Sequence, residues 1–168
     1  MSGFLRLLSL SIALIAAPTQ SAAEAEPPGR VGRISLASAG TQLRIGDSLA
    51  SGEDALNWPL TTGAFIETSA GGRSEVRIGS MALHIDAGTA LEFADLDDAR
   101  IRLRLHRGSI VIVLRNPEHA AETTLETPEG SLRFETPGSY RADVAGGTTA
   151  FSAYRGRALI ETFGLTVH

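Results

Sequence analysis

Three arginines and one histidine alternate along a short stretch and form the clearest chemical pattern in the chain. Arg100, Arg102, Arg104 and His106 are separated by single aliphatic residues. Because side chains alternate across a β-strand, all four are predicted to share one strand face. Neighbouring cations repel unless acids lie opposite, and Glu75 on another alternating segment is one candidate partner. The face is interpreted either as a solvated surface with cross-strand ion pairs or as a patch for an anionic partner.

Catalytic and metal-binding patterns are missing from the sequence. The chain has no cysteine and no lysine, and its four histidines are not at ligand spacing. This excludes thiol nucleophiles, zinc-thiolate sites, disulfides and lysine-based catalysis. Neither the nucleophile-elbow motif G-x-S-x-G nor the dinucleotide motif G-x-G-x-x-G occurs. We therefore expect no catalytic residue, no metal and no cofactor.

The densest acidic cluster is Asp95-Leu96-Asp97-Asp98. Calcium takes carboxylate oxygens, but Arg100 and His106 stand where an EF-hand loop counted from Asp95 needs its glycine and its glutamate. The cluster therefore favours a turn between two strands, since Asp side chains bind nearby backbone N–H groups. The 19 acidic residues leave one catalytic alternative open, a cell-wall glycan hydrolase that uses paired carboxylates.

Trp58 is the single tryptophan of the chain and precedes a proline. A buried tryptophan anchors a core, whereas an exposed one often marks a binding site for a protein or a sugar. Burial against a sheet is favoured, and Trp58 is kept as a candidate anchor for a partner.

The first 23 residues have the pattern of a secretory signal peptide. Arg6 supplies the positive charge, an apolar run follows from Leu7 to Ala17, and small residues precede cleavage after Ala23 or Ala25. The run is too short to span a bilayer, which takes about 20 apolar residues. We expect residues 1–23 to be removed, residues 24–30 to form a linker, and the product to be periplasmic or secreted without a membrane span.

The remaining sequence, residues 31–168, has the period-two hydrophobicity of β-strands. The clearest segments are Arg100–Arg107, and the nearly all-apolar Ser109–Leu114, which predicts a strand buried on both faces. Glycine-rich turn signals, among them Gly108, separate many runs at the spacing of a sandwich, barrel or short solenoid. Pro117–Glu122 is interpreted as a loop, because isolated short helices are marginal. The prediction is one all-β domain of many short strands.

The net charge of −4 and the small number of aromatic residues argue against a nucleic-acid partner. The partner classes that remain are an envelope protein and an anionic glycan.

The ordered turns and strands from about Val31 to Glu161 resemble the FecR-domain family. The resemblance is carried by a series of short segments: Pro59–Gly63, Ser74–Gly79, Gly88-Thr89, Leu96–Asp98, Arg107–Ser109, Thr127-Pro128, Pro137–Arg141, Thr148-Thr149 and Arg155-Gly156. It implies an exported all-β domain, a sandwich or short solenoid-like FecR domain, of the branch that carries a signal peptide. The expected function is a non-catalytic interaction or sensing module in the bacterial envelope. A structural subunit of an envelope assembly is a further alternative.

Overall fold

The computed structural model of the protein describes residues 29–163. The predicted signal peptide, linker residues 24–28 and the last five residues lie outside the described part. Within it the fold is all-β, as predicted, with a single short α-helix. No helix in residues 29–163 combines the length and the apolar character that a membrane crossing requires.

Fourteen strands, one 3-10 helix and one α-helix follow each other along the described chain. The strands are β1 Gly32–Ala37, β2 Thr41–Ile45, β3 Ser48–Ser51, β4 Pro59–Leu60, β5 Phe65–Thr68, β6 Ser74–Ile78, β7 Met81–Ile85, β8 Ala90–Leu96, β9 Ile101–Leu114, β10 Thr123–Thr127, β11 Gly130–Phe134, β12 Gly138–Ala145, β13 Thr148–Arg155 and β14 Ala158–Thr162. The 3-10 helix spans Gly52–Ala55 and α1 spans Pro117–Glu122.

The strands form one curled sheet whose two halves enclose a common core. The first layer has the order β4-β1-β6-β7-β9-β12-β13, and the second has the order β3-β2-β5-β8-β9-β10-β11-β14. Pairing is antiparallel except between β9 and β10. Apolar residues of both layers join in a single buried cluster, so the layers pack face to face. This corresponds to the sandwich form of the prediction.

Strand β9 belongs to both layers, because it bends in the middle. Strand β9 begins at Ile101 and ends at Leu114, and α1 then leads to β10, which begins at Thr123. Thr123 pairs with Ile101, so the chain has returned to the start of β9. A straight strand of this length would cover about 45 Å. The eight connecting residues, six of them helical, span only about 20 Å. The second half of β9 therefore folds back over the first.

The bend lies at Gly108. The two strands predicted on either side of this residue are one continuous strand, so that prediction was wrong. The φ of Gly108 is +86°, and an added Cβ would lie 2.4 Å from the Cα of Thr89. The register of β8 against β9 shifts at the same point, leaving His106 as an extra residue in a bulge. The buried positions consequently change from odd numbers to even numbers: Ile101, Leu103 and Leu105 before the bend, and Ile110, Ile112 and Leu114 after it.

Two local expectations were wrong. The segment Ser109–Leu114 is buried on one face only, because Val111 and Val113 lie half-buried on the outer side of the first layer. Pro117–Glu122 is helical, not a loop. Its N-terminus is capped by Asn116, whose Oδ1 accepts a hydrogen bond from the His119 N–H at 2.9 Å. Burial of the His119 side chain supplies packing that an isolated turn lacks.

Candidate functional site

The arginine stripe lies on the outer face of the second layer, where acids on both neighbouring strands meet it. β8 pairs with β9 on one side and β10 on the other, with Glu92 opposite Arg104 and Glu126 beside it. The result is a row of alternating charges across three strands, which we call the charged ladder: Asp95, Arg102, Glu126, Arg104, Glu92 and His106. The structure thus brings together three of the four predicted face residues.

Arg104 is the centre of the charged ladder. Its Nη1 donates to Glu92 Oε2 at 3.1 Å, and its Nη2 and Nε donate to Glu126 Oε2 at 3.0 and 3.1 Å. Its hydrogen bonds to Glu126, together with the charge of Glu92, raise the pKa of the guanidinium despite partial burial. A guanidinium engaged in this way on both sides holds β8, β9 and β10 together.

Glu92 connects Arg104 to His106. The His106 Nε2 lies 2.9 Å from Glu92 Oε2, and the His106 ring packs near the Phe65 ring at 5.6 Å. Burial raises the pKa of Glu92, but the His106 hydrogen bond and the Arg104 charge outweigh burial, so the pKa lies below its usual value. Glu92 is therefore an anion near neutral pH and is unsuited to act as a general acid.

Arg102 is held more loosely than Arg104. Its Nη2 lies 2.8 Å from Asp95 and its Nη1 lies 3.6 Å from Glu126. Its Nε is enclosed without a hydrogen-bond partner in the described structure. The two arginines and His106 are 37–42% exposed, whereas the three acids of the ladder are 20–27% exposed. An approaching partner therefore meets mainly the basic side chains.

Arg100 lies outside the strand, which corrects its predicted place in the stripe. It ends the turn that connects β8 to β9. The predicted turn is confirmed for Asp97 and Asp98, whereas Asp95 and Leu96 belong to β8. Asp97 Oδ1 accepts hydrogen bonds from the N–H groups of Ala99 and Arg100, both at 2.8 Å. These backbone hydrogen bonds lower the pKa of Asp97. Because Arg100 belongs to the turn, the alternation of side chains along β9 does not determine its direction. Its side chain is exposed.

A depression of about 420 Å³ begins beside Arg100 at the end of the charged ladder. Arg100 and Arg133 stand at its walls, and Glu122, Phe134 and Thr124 form part of the lining. The hydroxyl of the neighbouring Thr123 is buried and donates to the His119 carbonyl at 2.6 Å. Arg133 is well exposed and lies 3.6 Å from Glu161. The two arginines are suited to bind a carboxylate or another anionic group, since the Glu122 carboxylate is already paired with Arg30 at 2.8 Å.

Glu75 is not a partner of the arginine stripe, contrary to the sequence-based suggestion. It lies on β6, on the outer face of the first layer, because the bend at Gly108 carries only the second half of β9 into that layer. There it accepts from Arg77 Nε at 2.6 Å and lies 3.3 Å from His84 Nδ1. Burial raises the pKa of Glu75, but hydrogen bonds from Ser35 and Arg77 lower it by more.

Trp58 is half-buried and packs against the core from the end of the fold opposite β13 and β14. It lines a shallow groove of about 450 Å³ together with Leu49, Gln42 and Asp54. The favoured burial is confirmed in part, and its proposed role as an anchor for a partner stays a prediction. Trp58 is remote in sheet order from the charged ladder, so the structure does not join these two predicted sites.

A contact between a serine and a histidine was not predicted from the sequence. Ser80 Oγ lies 3.0 Å from His119 Nδ1, between the β6–β7 turn and α1. The residues are 39 positions apart with no motif between them, so only the structure joins them. The contact attaches α1 to the turn at Gly79, whose Cα faces the histidine ring. No group of three potential metal ligands occurs within residues 29–163.

Carboxylates elsewhere on the surface are also held as anions. Arg141 donates to Asp143 at 2.6–3.0 Å, and Ser109 donates a further hydrogen bond. The Arg141 hydrogen bond is the main reason that the pKa of Asp143 is lowered.

Comparison of the chain with protein-family models, with curated proteins and with solved structures gives no match.

Proposed function

We propose that this chain is a non-catalytic, exported domain of the FecR type that binds an envelope protein in the periplasm or outside the cell. The signal-peptide pattern supports the compartment, the ordered FecR-like segments support the family, and an all-β fold is what the family resemblance implies. The binding surface is the outer face of the second layer, from the charged ladder to Arg100 and Arg133. Its partner is an acidic segment of a protein.

The observation that carries this proposal is the unequal exposure within the charged ladder. The acids lie deeper and fix the basic side chains in place, while the guanidinium and imidazole edges face solvent. A fixed cation loses little conformational entropy when it binds an anion, which favours recognition. Arg102 is fixed by Asp95 at 2.8 Å, while its Nη1 lies 3.6 Å from Glu126 and is the group best placed to bind the partner, next to the exposed Arg100.

The glycan-hydrolysing alternative is less well supported. A glycosidase needs one carboxylic acid whose raised pKa keeps it protonated, near a second carboxylate. The pKa values of Glu75, Glu92, Asp97 and Asp143 are all lowered, because arginine, histidine or backbone N–H groups hold the charged form. These carboxyls therefore serve as structural anions.

The test is site-specific crosslinking in the native host. A photoreactive phenylalanine analogue at Ala99, which lines the depression, is expected to crosslink one envelope protein. Arg100→Glu with Arg102→Glu should reduce the crosslink at least about tenfold by charge repulsion. The matched control, Arg73→Glu with Arg77→Glu on the first layer, reverses the same number of charges and should leave the crosslink unchanged.

Equal loss in both double variants, or adducts that contain glycan and no protein, would overturn the proposed partner. Turnover of cell-wall glycan by the purified protein, abolished by one carboxylate substitution, would overturn the non-catalytic assignment.

A further inference from the structure

The two ends of the sandwich differ in how they are closed. At one end the outermost strands, β3 and β4, have four and two residues, and the 3-10 helix packs against β1, β2 and β3 with Ala55 buried. At the other end the outermost strands are β13 and β14, and within residues 29–163 each of them is paired on one side only. The eight-residue β13 is the longer and is exposed along most of its length.

The interior of the fold opens between these two last strands. Phe151 lies opposite the buried Ala142, and Ile160 lies opposite the buried Leu132, so both side chains point inward. Ile160 is nevertheless 51% exposed and Phe163 is 59% exposed. Together with Phe151 they line a slot of about 410 Å³. This end presents apolar core positions directly to solvent.

The edge of β13 is regular from Thr148 to Ala153 and ends in a bulge at Tyr154, which has no partner residue on β12. The regular part contains no proline and no charged residue, so strand pairing is possible there. The Thr149 N–H points away from β12, because it donates to the Glu129 carboxylate. By the two-residue period, the N–H groups of Phe151 and Ala153 point outward as well.

We propose that β13 pairs with β13 of a second copy of this chain in an antiparallel, two-fold symmetric dimer. Pairing around Phe151 matches all three outward residues, with Thr149 opposite Ala153 of the second copy and Phe151 opposite itself. In this arrangement the Thr149 N–H exchanges the Glu129 carboxylate for the carbonyl group of Ala153 of the second copy. A shift by one pair would match only two. The two Phe151 rings then meet on the inner side and close both slots against Ile160 and Phe163.

The charges at the ends of β13 are complementary only in this antiparallel arrangement. Glu129 lies at the Thr149 end of the strand, and Arg155 lies at the other end. A two-fold axis at Phe151 places Arg155 of each copy near Glu129 of its partner, twice in the interface. A parallel arrangement would place the two Arg155 side chains side by side. Self-complementarity of this kind is the signature of an isologous interface.

Charge exchange tests the pairing. The purified protein is expected to sediment as a dimer that dissociates on dilution. Arg155→Glu alone and Glu129→Arg alone should each raise the dissociation constant at least about tenfold, because each creates two like-charge contacts. The double variant, Arg155→Glu with Glu129→Arg, should restore the dimer. Arg157→Glu, an exposed reversal beside β13, is the control and should have no such effect.

Crosslinking tests the register. Since the chain has no cysteine, a single Phe151→Cys variant is expected to form a disulfide-linked dimer, with the two Cα atoms about 5.5 Å apart. Thr148→Cys should not crosslink, because its two copies would lie about 20 Å apart. A protein that sediments as a monomer at 100 µM overturns the proposal, as does a double charge variant that fails to restore dimerisation. The dimer does not involve the charged ladder, so its failure leaves the proposed function intact.

Discussion

Replacement of Arg104 by glutamine tests whether the charged ladder holds three strands together. The side chain makes two ion pairs at 3.0 and 3.1 Å. Pairs at this level of exposure contribute about 0.2–1 kcal/mol each, because solvent screens them. The substitution also leaves Glu92 and Glu126 without the cation between them. We expect Arg104→Gln to lower the free energy of unfolding by about 1–2 kcal/mol at pH 7 and low salt.

The measurement is urea unfolding followed by circular dichroism, at low salt and in 1 M NaCl. The Debye length falls to about 3 Å at 1 M, so the effect should shrink by at least half. The control is Arg73→Gln, because Arg73 is 76% exposed and its single ion pair with Asp86 is longer, 3.4 Å. We expect this control to lose less than about 0.5 kcal/mol.

Acid pH provides a second test of the same network. Because the pKa of Glu92 is lowered in the folded protein, its contribution to stability is present above the unfolded pKa and is lost as the pH falls through the folded pKa. The difference between the wild-type chain and Arg104→Gln should therefore decrease below about pH 4. Equal destabilisation by Arg104→Gln and Arg73→Gln, insensitive to salt and pH, would refute the role given to Arg104.

Three further substitutions test other parts of the fold. Gly108→Ala should lower the free energy of unfolding by more than about 2 kcal/mol in the same assay, because the new Cβ meets Thr89 and φ is positive. Tyr140→Phe should lose about 1–2 kcal/mol in thermal unfolding, since the buried hydroxyl lies 2.7 and 3.0 Å from two backbone carbonyls. Asp143→Asn should flatten the acid limb of the stability curve below about pH 4, because the lowered pKa of Asp143 depends on Arg141. An unchanged acid limb would contradict that assignment.

The strand content was predictable because the period-two pattern is local. The bend in β9 was not predicted, since Gly108 also fits an ordinary turn between two strands. The change of buried positions from odd to even numbers is hidden in the sequence, because Val111 and Val113 are aliphatic like Ile110, Ile112 and Leu114. Only the burial of the side chains shows the inserted residue in the continuing strand.

The partners of the arginine stripe differ in how they could be found. Glu92 and Arg104 are equally distant from the turn at Asp98, so a hairpin across that turn brings them together. Glu126 reaches Arg104 through the parallel pairing of β10 with β9, which depends on the return of the chain through α1. Local sequence patterns contain no information about that crossover. The choice of Glu75 instead failed because β9 changes layer at Gly108.

The double membership of β9 also has a consequence for local opening of the fold. If one layer separates, β9 loses its partners there while its other half still pairs in the opposite layer, so an opening confined to one layer is costly. Backbone amides in both halves of β9 should then become exposed to solvent in a single cooperative event. In hydrogen exchange, the amides of Leu103 and Ile112 should show the same opening free energy, although they belong to different layers.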